Sequence, residues 1–340
     1  MNGRLSITLQ IVLALLLAIA LPLFFIEGAY GRHLITITLI FCSLAVSLNL
    51  VMGYAGLVSV AHGAFFGIGA YCTALLTVNQ FSFITSVLAG IVLAASVGTL
   101  VGLLTLRLRG HYFALSTLAF TMVSVIILER WDEVTRGARG VSNIPRAGSF
   151  SIAGFDISFK EFWPNYLLVT GVFLLFVMVS NLIIKSPFGR ALLCIQRNEL
   201  LGAVYGVNIV KVKLQVLALS AAMASVSGSL YASYIAYVSP NDATFMRSFE
   251  AIMSVVIGGT GTIWGPALGS FFIQLSPELL RGFESGRLLI LGLILILIVR
   301  FYPSGLAGLS LQLWHALKVA LLTRKTSKEV VQAVKDKSAP

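Results

Sequence analysis

The chain has 340 residues, of which 58% are hydrophobic and only 11% are charged. Because soluble domains carry about 25% charged residues, this composition excludes a mainly soluble protein and predicts one integral membrane domain. The formal net charge of +11 does not indicate nucleic acid binding, because the basic residues cluster in short loops and in the tail. That distribution is the one that orients membrane proteins.

Apolar segments separated by charged or glycine-rich stretches predict an all-α fold, a polytopic bundle of transmembrane helices. The first segment is predicted to be a retained span, because no small-x-small cleavage site follows it. We predict a membrane domain over residues 1–317 and a basic tail over 318–340. The predicted spans cover residues 7–26, 33–53, 57–78, 83–106, 111–128, 165–185, 214–237 and 288–302.

Positive charge predicts the orientation of these spans. Arg107 and Arg109 mark one inner loop, residues 186–213 form a longer basic loop, and the tail is a third inner segment. Residues 129–164 then lie outside. The tail mixes basic residues with valines, so it is either an amphipathic helix attracted to anionic lipid or disordered.

This orientation requires residues 248–280 to enter and leave the membrane on the same face. Two short half-spans, about 248–259 and 266–280, satisfy this if they meet at Gly258 to Pro266. Neither half is long enough to cross a core of about 30 Å with much to spare at 1.5 Å per residue. We therefore predict a turn within the membrane or near its inner surface.

Glycine-rich, polar stretches interrupt the apolar sequence twice, at "GYAGLVSVAHGAFFGIGAY" (Gly53–Tyr71) and "GGTGTIWGPALG" (Gly258–Gly269). Lipid cannot hydrogen-bond a freed amide or carbonyl, so broken helices survive only where protein or a watery cavity covers them. Paired breaks in the two halves of a chain indicate a translocation site. The candidate path residues are Asn49, Ser59, His62, Gly258, Gly259, Thr260 and Gly261.

His62 has two interpretations. Ionisable groups inside membranes commonly face a bundle interior and serve a function, which favours a place on the path. Alternatively, a neutral His62 satisfies a carbonyl freed by the glycine-rich bend. Near the outer face, Glu250 is predicted to pair with Arg247, and the separated cysteines and histidines predict no metal site.

Small residues recur every four positions in the predicted span 214–237. Two neighbouring rows of small side chains allow close backbone approach over a wide face. We therefore predict that this helix lies at the centre of the bundle. The rows are Ser220, Ala224, Gly228 and Ala232, and Ala221, Ser225, Ser229 and Ser233.

The loop "KSPFGRALLCIQRNELLGAVYGVNIVKVK" predicts a short helix over Glu199–Tyr205. Pro187 is predicted to end the preceding span, Asn198 is a good N-cap, and Gly206 is placed to end the short helix. A helix of about two turns is unstable in water alone, so it must pack on something. Its apolar edge, formed by Leu200, Leu201, Val204 and Tyr205, faces either a partner subunit or the membrane surface.

Five motifs in order resemble the LivM-type permease subunit of branched-chain amino acid ABC importers, from about Leu34 to Leu306. They are Asn49-Leu50 with the first glycine-rich stretch, "LRLRGHYFALSTLAF", "SPFGRAL" with "YGVN", "YVSPNDATFMRSFEAIMSVVIGGTGTIWGPALG" and "RFYPSGLAG". Two positions depart from the family pattern: Ala61 replaces a glycine before the histidine, and "ELLGAVYG" lacks an additional acidic residue.

The resemblance implies a permease that carries leucine, isoleucine and valine across the bacterial inner membrane. It implies a LivH-like second permease subunit, two cytoplasmic ATPases and a soluble substrate-binding protein. Exposed Arg130, Arg136 and Arg139 in the outer loop suit docking of that binding protein, although a solvated loop needs no partner. The implied ATPase-coupling residues are Arg190, Arg197, Asn198, Glu199, Leu200, Leu201, Val204, Tyr205 and Gly206.

No cofactor is expected in the chain itself, because its glycine-rich stretches lack the Lys-Ser/Thr of a phosphate-binding loop, and ATP would be used by partner subunits. Other amino acids, urea or short amides are the alternative substrates. An ion-coupled secondary transporter is the rival mechanism, but the nearest carboxylates, Glu250 and Glu278, lie towards the outer ends of their segments. An intramembrane enzyme would need more than His62, so we predict no catalytic activity.

Overall fold

The structure, a computed structural model, describes residues 28–108, 110–147 and 161–280, the backbone of residues 150–152 and 155–157, and isolated residues between 286 and 308. The predicted first span and tail lie outside these ranges, as does most of the predicted span 288–302. Within the described ranges the fold is a helical bundle, as predicted. Five helices are long and apolar enough to cross a membrane, namely Ala29–Tyr54, Phe83–Thr105, His111–Arg130, Phe162–Lys185 and Ile209–Ile235.

Eleven α-helices are present in these ranges, together with four very short strands. The helices are α1 Ala29–Asn49, α2 His62–Val78, α3 Phe83–Thr105, α4 His111–Arg130, α5 Asp132–Thr135, α6 Phe162–Lys185, α7 Pro187–Arg197, α8 Glu199–Val204, α9 Ile209–Ile235, α10 Phe245–Gly258 and α11 Gly265–Leu279. The strands are β1 Val141–Ser142, β2 Phe150–Ile152, β3 Phe155–Ile157 and β4 Tyr237–Val238. Pairs β1–β4 and β2–β3 are both antiparallel.

Of the six predicted spans that lie in the described ranges, four match a helix within four residues at each end, but the prediction 57–78 is wrong at its start. Helix α2 begins only at His62, because residues 55–61 leave the helical path. Gly56 has a φ of +70°, and the Leu57 amide turns back to donate to the Val51 carbonyl. The prediction 214–237 is too short, since α9 begins at Ile209, where Asn208 caps it by accepting from the Lys211 amide.

Helix α9 lies at the centre of the bundle, as its small residues predict. All eight residues of the two rows are buried. A Cβ built on Gly228 would overlap the Phe66 carbonyl oxygen of α2, and one built on Gly69 of α2 would overlap the Ser225 carbonyl of α9. The backbones of α2 and α9 therefore touch at two levels, and a larger side chain at either glycine would separate them.

The segment predicted as two half-spans does form two short helices. Helices α10 and α11 have 14 and 15 residues, which at 1.5 Å per residue gives about 21 and 23 Å. Helix α11 runs antiparallel to α1: Tyr30 donates to Glu278 near one end, Ser270 donates to the Phe41 carbonyl midway, and Asn49 bonds Thr262 at the other. The turn between the short helices therefore lies beside the end of α1.

Candidate translocation site and coupling loop

The first break begins where α1 ends. The helix widens into a π-helical turn over Leu50–Tyr54. Such turns are rare in proteins overall, but they are often found at functional sites. After it, the non-helical residues are held by side chains of other helices. Thr117 and Thr121 of α4 bond the Val60 amide and carbonyl, and Ser248 of α10 also donates to that carbonyl. The break is thus covered by protein, as irregular backbone in a membrane requires.

The second break joins α10 to α11 and needs glycine at specific positions. Gly259 and Gly261 have φ values of +114° and +72°, which side chains rarely adopt. The Thr262 hydroxyl donates to the Gly259 carbonyl and accepts from the Gly265 amide, so one threonine closes the turn. A Cβ on Gly258 would overlap the Gly265 carbonyl, which shows how tightly the two helices meet.

Asn49 joins the two breaks directly. Its Nδ2 donates to the Thr262 carbonyl at 2.8 Å, and its Oδ1 accepts from the Gly261 amide at 3.0 Å. Gly53 and Gly261 lie in close contact beside it, since a Cβ on Gly53 would be 2.5 Å from the Gly261 nitrogen. The two interruptions, far apart in sequence, therefore form one structural site.

The remaining path candidates lie at different places. Gly258 and Gly259 are buried beside this junction, whereas Thr260 is exposed. Ser59 is fully buried in the first break, where its hydroxyl accepts weakly from the Ala61 amide at 3.4 Å. The structure thus brings Asn49 and Gly261 together but not Ser59 and Thr260.

His62 is fully buried and belongs to a hydrogen-bond chain between three helices. Its Nε2 is 2.6 Å from the Ser220 hydroxyl, which itself donates to the Ser47 carbonyl. Since Ser220 donates to Ser47, His62 donates through Nε2, and its Nδ1 has no partner among the described residues. This arrangement ties α2 to α9 and α1; a role on the path stays a prediction.

Residues 186–213, the predicted inner loop, contain two helices, one more than predicted. Helix α7 begins immediately after α6, because Ser186 caps it by accepting from the Gly189 amide and Pro187 occupies its first turn. Pro187 therefore follows the end of α6, as predicted, and is also the first residue of α7. Helix α8 is the predicted short helix: Asn198 accepts from the Leu200 and Leu201 amides, and Gly206 adopts a φ of +76° at its end.

The apolar edge of helix α8 is exposed on the surface of the protein. The exposed fractions are 77% for Leu200, 53% for Leu201, 82% for Val204 and 79% for Tyr205. Glu199 fixes the helix to α9 through an ion pair with Lys213, whose side chain is only 8% exposed. Removing the carboxylate would leave this buried ammonium without its counter-charge.

Gln196 and Lys213 are functional candidates that the sequence did not reveal. The Gln196 Nε2 donates to the Gly53 carbonyl at 2.7 Å, so α7 touches the first break. A glutamine beside an arginine at the end of a helix gives no signal of such a contact. Arg190 and Arg197, by contrast, are exposed at the surface of α7.

The charged groups predicted near the outer face do pair. Arg247 donates to Glu250 at 3.0 Å and approaches Asp242 at 3.4 Å, and its guanidinium lies over the Phe41 ring. The predicted pairing of Glu250 with Arg247 is confirmed. In the predicted outer loop, the side chains of Arg130, Arg136 and Arg139 are exposed, while the backbone carbonyl of Arg139 accepts from Tyr237.

Comparison with known proteins gives a family match over most of the chain. A family model described as "Branched-chain amino acid transport system / permease component" matches residues 32–299. The high-affinity branched-chain amino acid transport system permease protein LivM of Escherichia coli (strain K12) is 32% identical over 320 residues, covering 88% of this chain and 74% of the relative.

Two relatives of lower identity also match most of the chain. The probable branched-chain amino acid transport permease protein LivM of Methanocaldococcus jannaschii is 25% identical, covering 77% of this chain and 88% of the relative. The corresponding LivH protein of Escherichia coli (strain K12) is 23% identical, covering 84% and 96%. The bundle, its paired breaks and these matches show that the chain is an integral membrane protein and belongs to the family of permease components of branched-chain amino acid transport systems.

Proposed function

We propose that this chain is one membrane subunit of an ATP-driven importer that carries leucine, isoleucine and valine across the bacterial inner membrane. The observation that carries the proposal is the 32% identity to a high-affinity permease of branched-chain amino acid transport over 88% of the chain. The joined breaks supply a place where small backbone changes can open a path.

The second membrane subunit is proposed to be a related permease, because the chain is similar to LivH proteins as well as to LivM proteins. Two related subunits can share a pseudo-symmetric interface with the path between them. Homodimer formation would contradict this part of the proposal.

Energy is proposed to come from two ATPases bound at the inner loop, and the permease itself has no catalytic role or cofactor. Helix α8 fits such a contact, because its apolar edge is exposed while its base is fixed to α9 through Glu199. The coupling residues proposed are Arg190, Arg197, Asn198, Glu199, Leu200, Leu201, Val204, Tyr205 and Gly206.

A soluble binding protein is proposed to deliver the substrate to the outer face, where Arg130, Arg136 and Arg139 are exposed. Exposed guanidinium groups are suited to acidic patches on a partner. Selectivity among amino acids would then lie largely in that binding protein, while the permease path needs only weak polar contacts.

The test is reconstitution of the complete transporter in liposomes with its binding protein, the second permease and both ATPases. We expect ATP-dependent uptake of labelled leucine, isoleucine and valine that stops when the binding protein is left out. Uptake of urea, short amides or unrelated amino acids in preference to these three would contradict the substrate assignment, and uptake without ATP would contradict the energy source.

A further inference from the structure

We propose that Gln196 is a positioning residue that links movement of the inner loop to both breaks through the backbone carbonyl of Gly53. This inference rests on the proposed function, in which the inner loop receives the force. It assigns a specific contact for passing that force into the membrane domain.

The first step is the contact between α7 and the first break. Gln196 Nε2 donates to the Gly53 carbonyl at 2.7 Å, and the Gln196 side chain also packs on Gly56, where an added Cβ would lie 3.1 Å from its Cγ. Gly53 lies inside the π-helical turn. The Gln196 amide therefore contacts the π-helical turn that follows α1, where the chain has already left regular α-helix geometry.

The second step is the contact between the breaks. Gly53 lies against the Gly261 amide, and that amide donates to Asn49, four residues before Gly53. A shift of the Gly53 backbone must therefore move Gly261 or break its hydrogen bond. Because packed elements shift between discrete arrangements rather than deform continuously, such a shift would move both breaks together.

The third step is the rigidity of the inner loop. Leu192 and Ile195 of α7 are buried with exposed fractions of 0% and 2%. Gly202 of α8 lies against the Ile195 side chain, where an added Cβ would be 3.5 Å away. Helices α7 and α8 are thus one packed unit, so a displacement of α8 carries Gln196 with it.

The simpler role of Gln196 is to satisfy a carbonyl at the inner surface. A water molecule could replace it there, since the residue is exposed in the single chain. The two roles differ in what they predict for coupling. If Gln196 only satisfies the Gly53 carbonyl, its loss affects folding alone. If Gln196 is a mechanical link, its loss lowers the amount of solute moved per ATP.

The first experiment compares Gln196→Leu with Gln215→Leu in the assembled transporter. Gln215 is an exposed glutamine near the inner end of α9 and serves as the matched control. We expect Gln196→Leu to lower uptake per ATP hydrolysed about threefold to tenfold, the range expected for one net hydrogen bond. ATP hydrolysis and abundance should stay within about twofold of the unmodified transporter, and the control should be unchanged.

Gln196→Lys tests rescue, because the ammonium can still donate to the Gly53 carbonyl. We expect it to restore at least half of the lost uptake per ATP. An unchanged ratio in Gln196→Leu, or equal losses of uptake and abundance without rescue by lysine, would overturn the proposal.

A disulfide tether gives a readout that needs no substrate. A Cβ on Gly56 would lie 3.7 Å from the Gln196 Cβ, which suits a disulfide. The double variant Gly56→Cys, Gln196→Cys would be made with Cys194→Ser to prevent exchange. Its reduced form is the reference, because cysteine at position 56 must adopt a φ of +70°. We expect the bridge to form equally in nucleotide-free and nucleotide-trapped transporter.

Formation of the bridge in only one nucleotide state would show that α7 separates from the break and would overturn the inference. Its result is independent of the transported solute. If the unmodified transporter takes up no branched-chain amino acid, the proposed substrate fails, while the tether still decides whether loop and break move together.

Discussion

Asn49 shows what one side chain can do at a helix break. An amide group is both donor and acceptor, so it can satisfy a backbone carbonyl and a backbone amide at once. Here it bonds residues 212 and 213 positions away. The sequence marked Asn49 as a polar residue beside a glycine-rich stretch, but nothing in the chain nearby could identify its partners.

Asn49→Leu is expected to destabilise the membrane domain by about 2–4 kcal/mol, because two backbone polar groups lose their partner in a medium with little water. The measurement is the apparent melting temperature in detergent. It is obtained from the fraction of protein that stays monodisperse after heating. Asn79→Leu is the matched control, since Asn79 is exposed and its side-chain amide donates to the Leu75 carbonyl of the helix that it follows. An equal effect of both substitutions would contradict a special role for Asn49.

His62 is a buried polar residue that joins three helices. The sequence left two interpretations open, and the structure adds that the side chain is fully buried and bonded to Ser220. That bond explains how a polar ring is tolerated among apolar helices. A path role for His62 stays a prediction, which applies to a state of the transporter with different helix packing.

At the scale of elements, helix α9 is the support on which α2, α3 and α1 pack. Its small residues allow the backbones of α2 and α9 to touch at Gly228 and Gly69. Lipid offers no strong hydrophobic drive for helix association. Helix pairs in membranes therefore depend on close packing of this kind. The period of four residues was readable from the sequence, whereas the choice of partner helix was not.

Gly228→Ala is expected to destabilise the domain by about 1–3 kcal/mol, because the new methyl group meets the backbone carbonyl of Phe66, which cannot move aside. The check is the apparent melting temperature in detergent together with abundance in the membrane.

Gly171→Ala serves as its control. Gly171 lies within α6, and an added Cβ there meets nothing within 4 Å. Alanine should therefore be neutral or stabilise by up to about 1 kcal/mol through its higher helix propensity. A loss of stability in Gly171→Ala equal to that in Gly228→Ala would mean that close packing is not the cause.

At the scale of the whole molecule, the inner loop and the two breaks form a continuous series of contacts. Glu199 anchors α8 to α9, Gln196 connects α7 to Gly53, and Asn49 connects that turn to Gly261. The Arg247 ion pairs lie apart from this series, where the guanidinium packs over Phe41 midway along α1. The series itself suits a domain that changes shape from the predicted inner loop.

The isolated chain is expected to be passive. Purified alone into liposomes, it should not accumulate leucine above the outside concentration, either with ATP or with an imposed sodium or proton gradient. The reason is that the glycine-rich stretches lack a phosphate-binding loop, and the carboxylates Glu250 and Glu278 lie away from the junction of the breaks. Accumulation driven by an ion gradient would instead indicate a secondary transporter.

The sequence by itself determined the solvent, the class of fold and the positions of the breaks. These properties are sums of local terms: the transfer of apolar side chains into lipid, the freedom of glycine, and the capping of α8 by Asn198. Each of these local terms depends on neighbouring residues alone. For this reason, most helix ends in the described ranges were predicted within four positions.

Only the tertiary structure decided where α2 begins and how the breaks meet. The start at His62, the partners of Asn49 and the contact of Gln196 with Gly53 all join residues distant in sequence. Each depends on how closely particular backbones approach, a property of packing that no local pattern records. The joined breaks and their contact with the predicted inner loop are therefore products of the folded bundle.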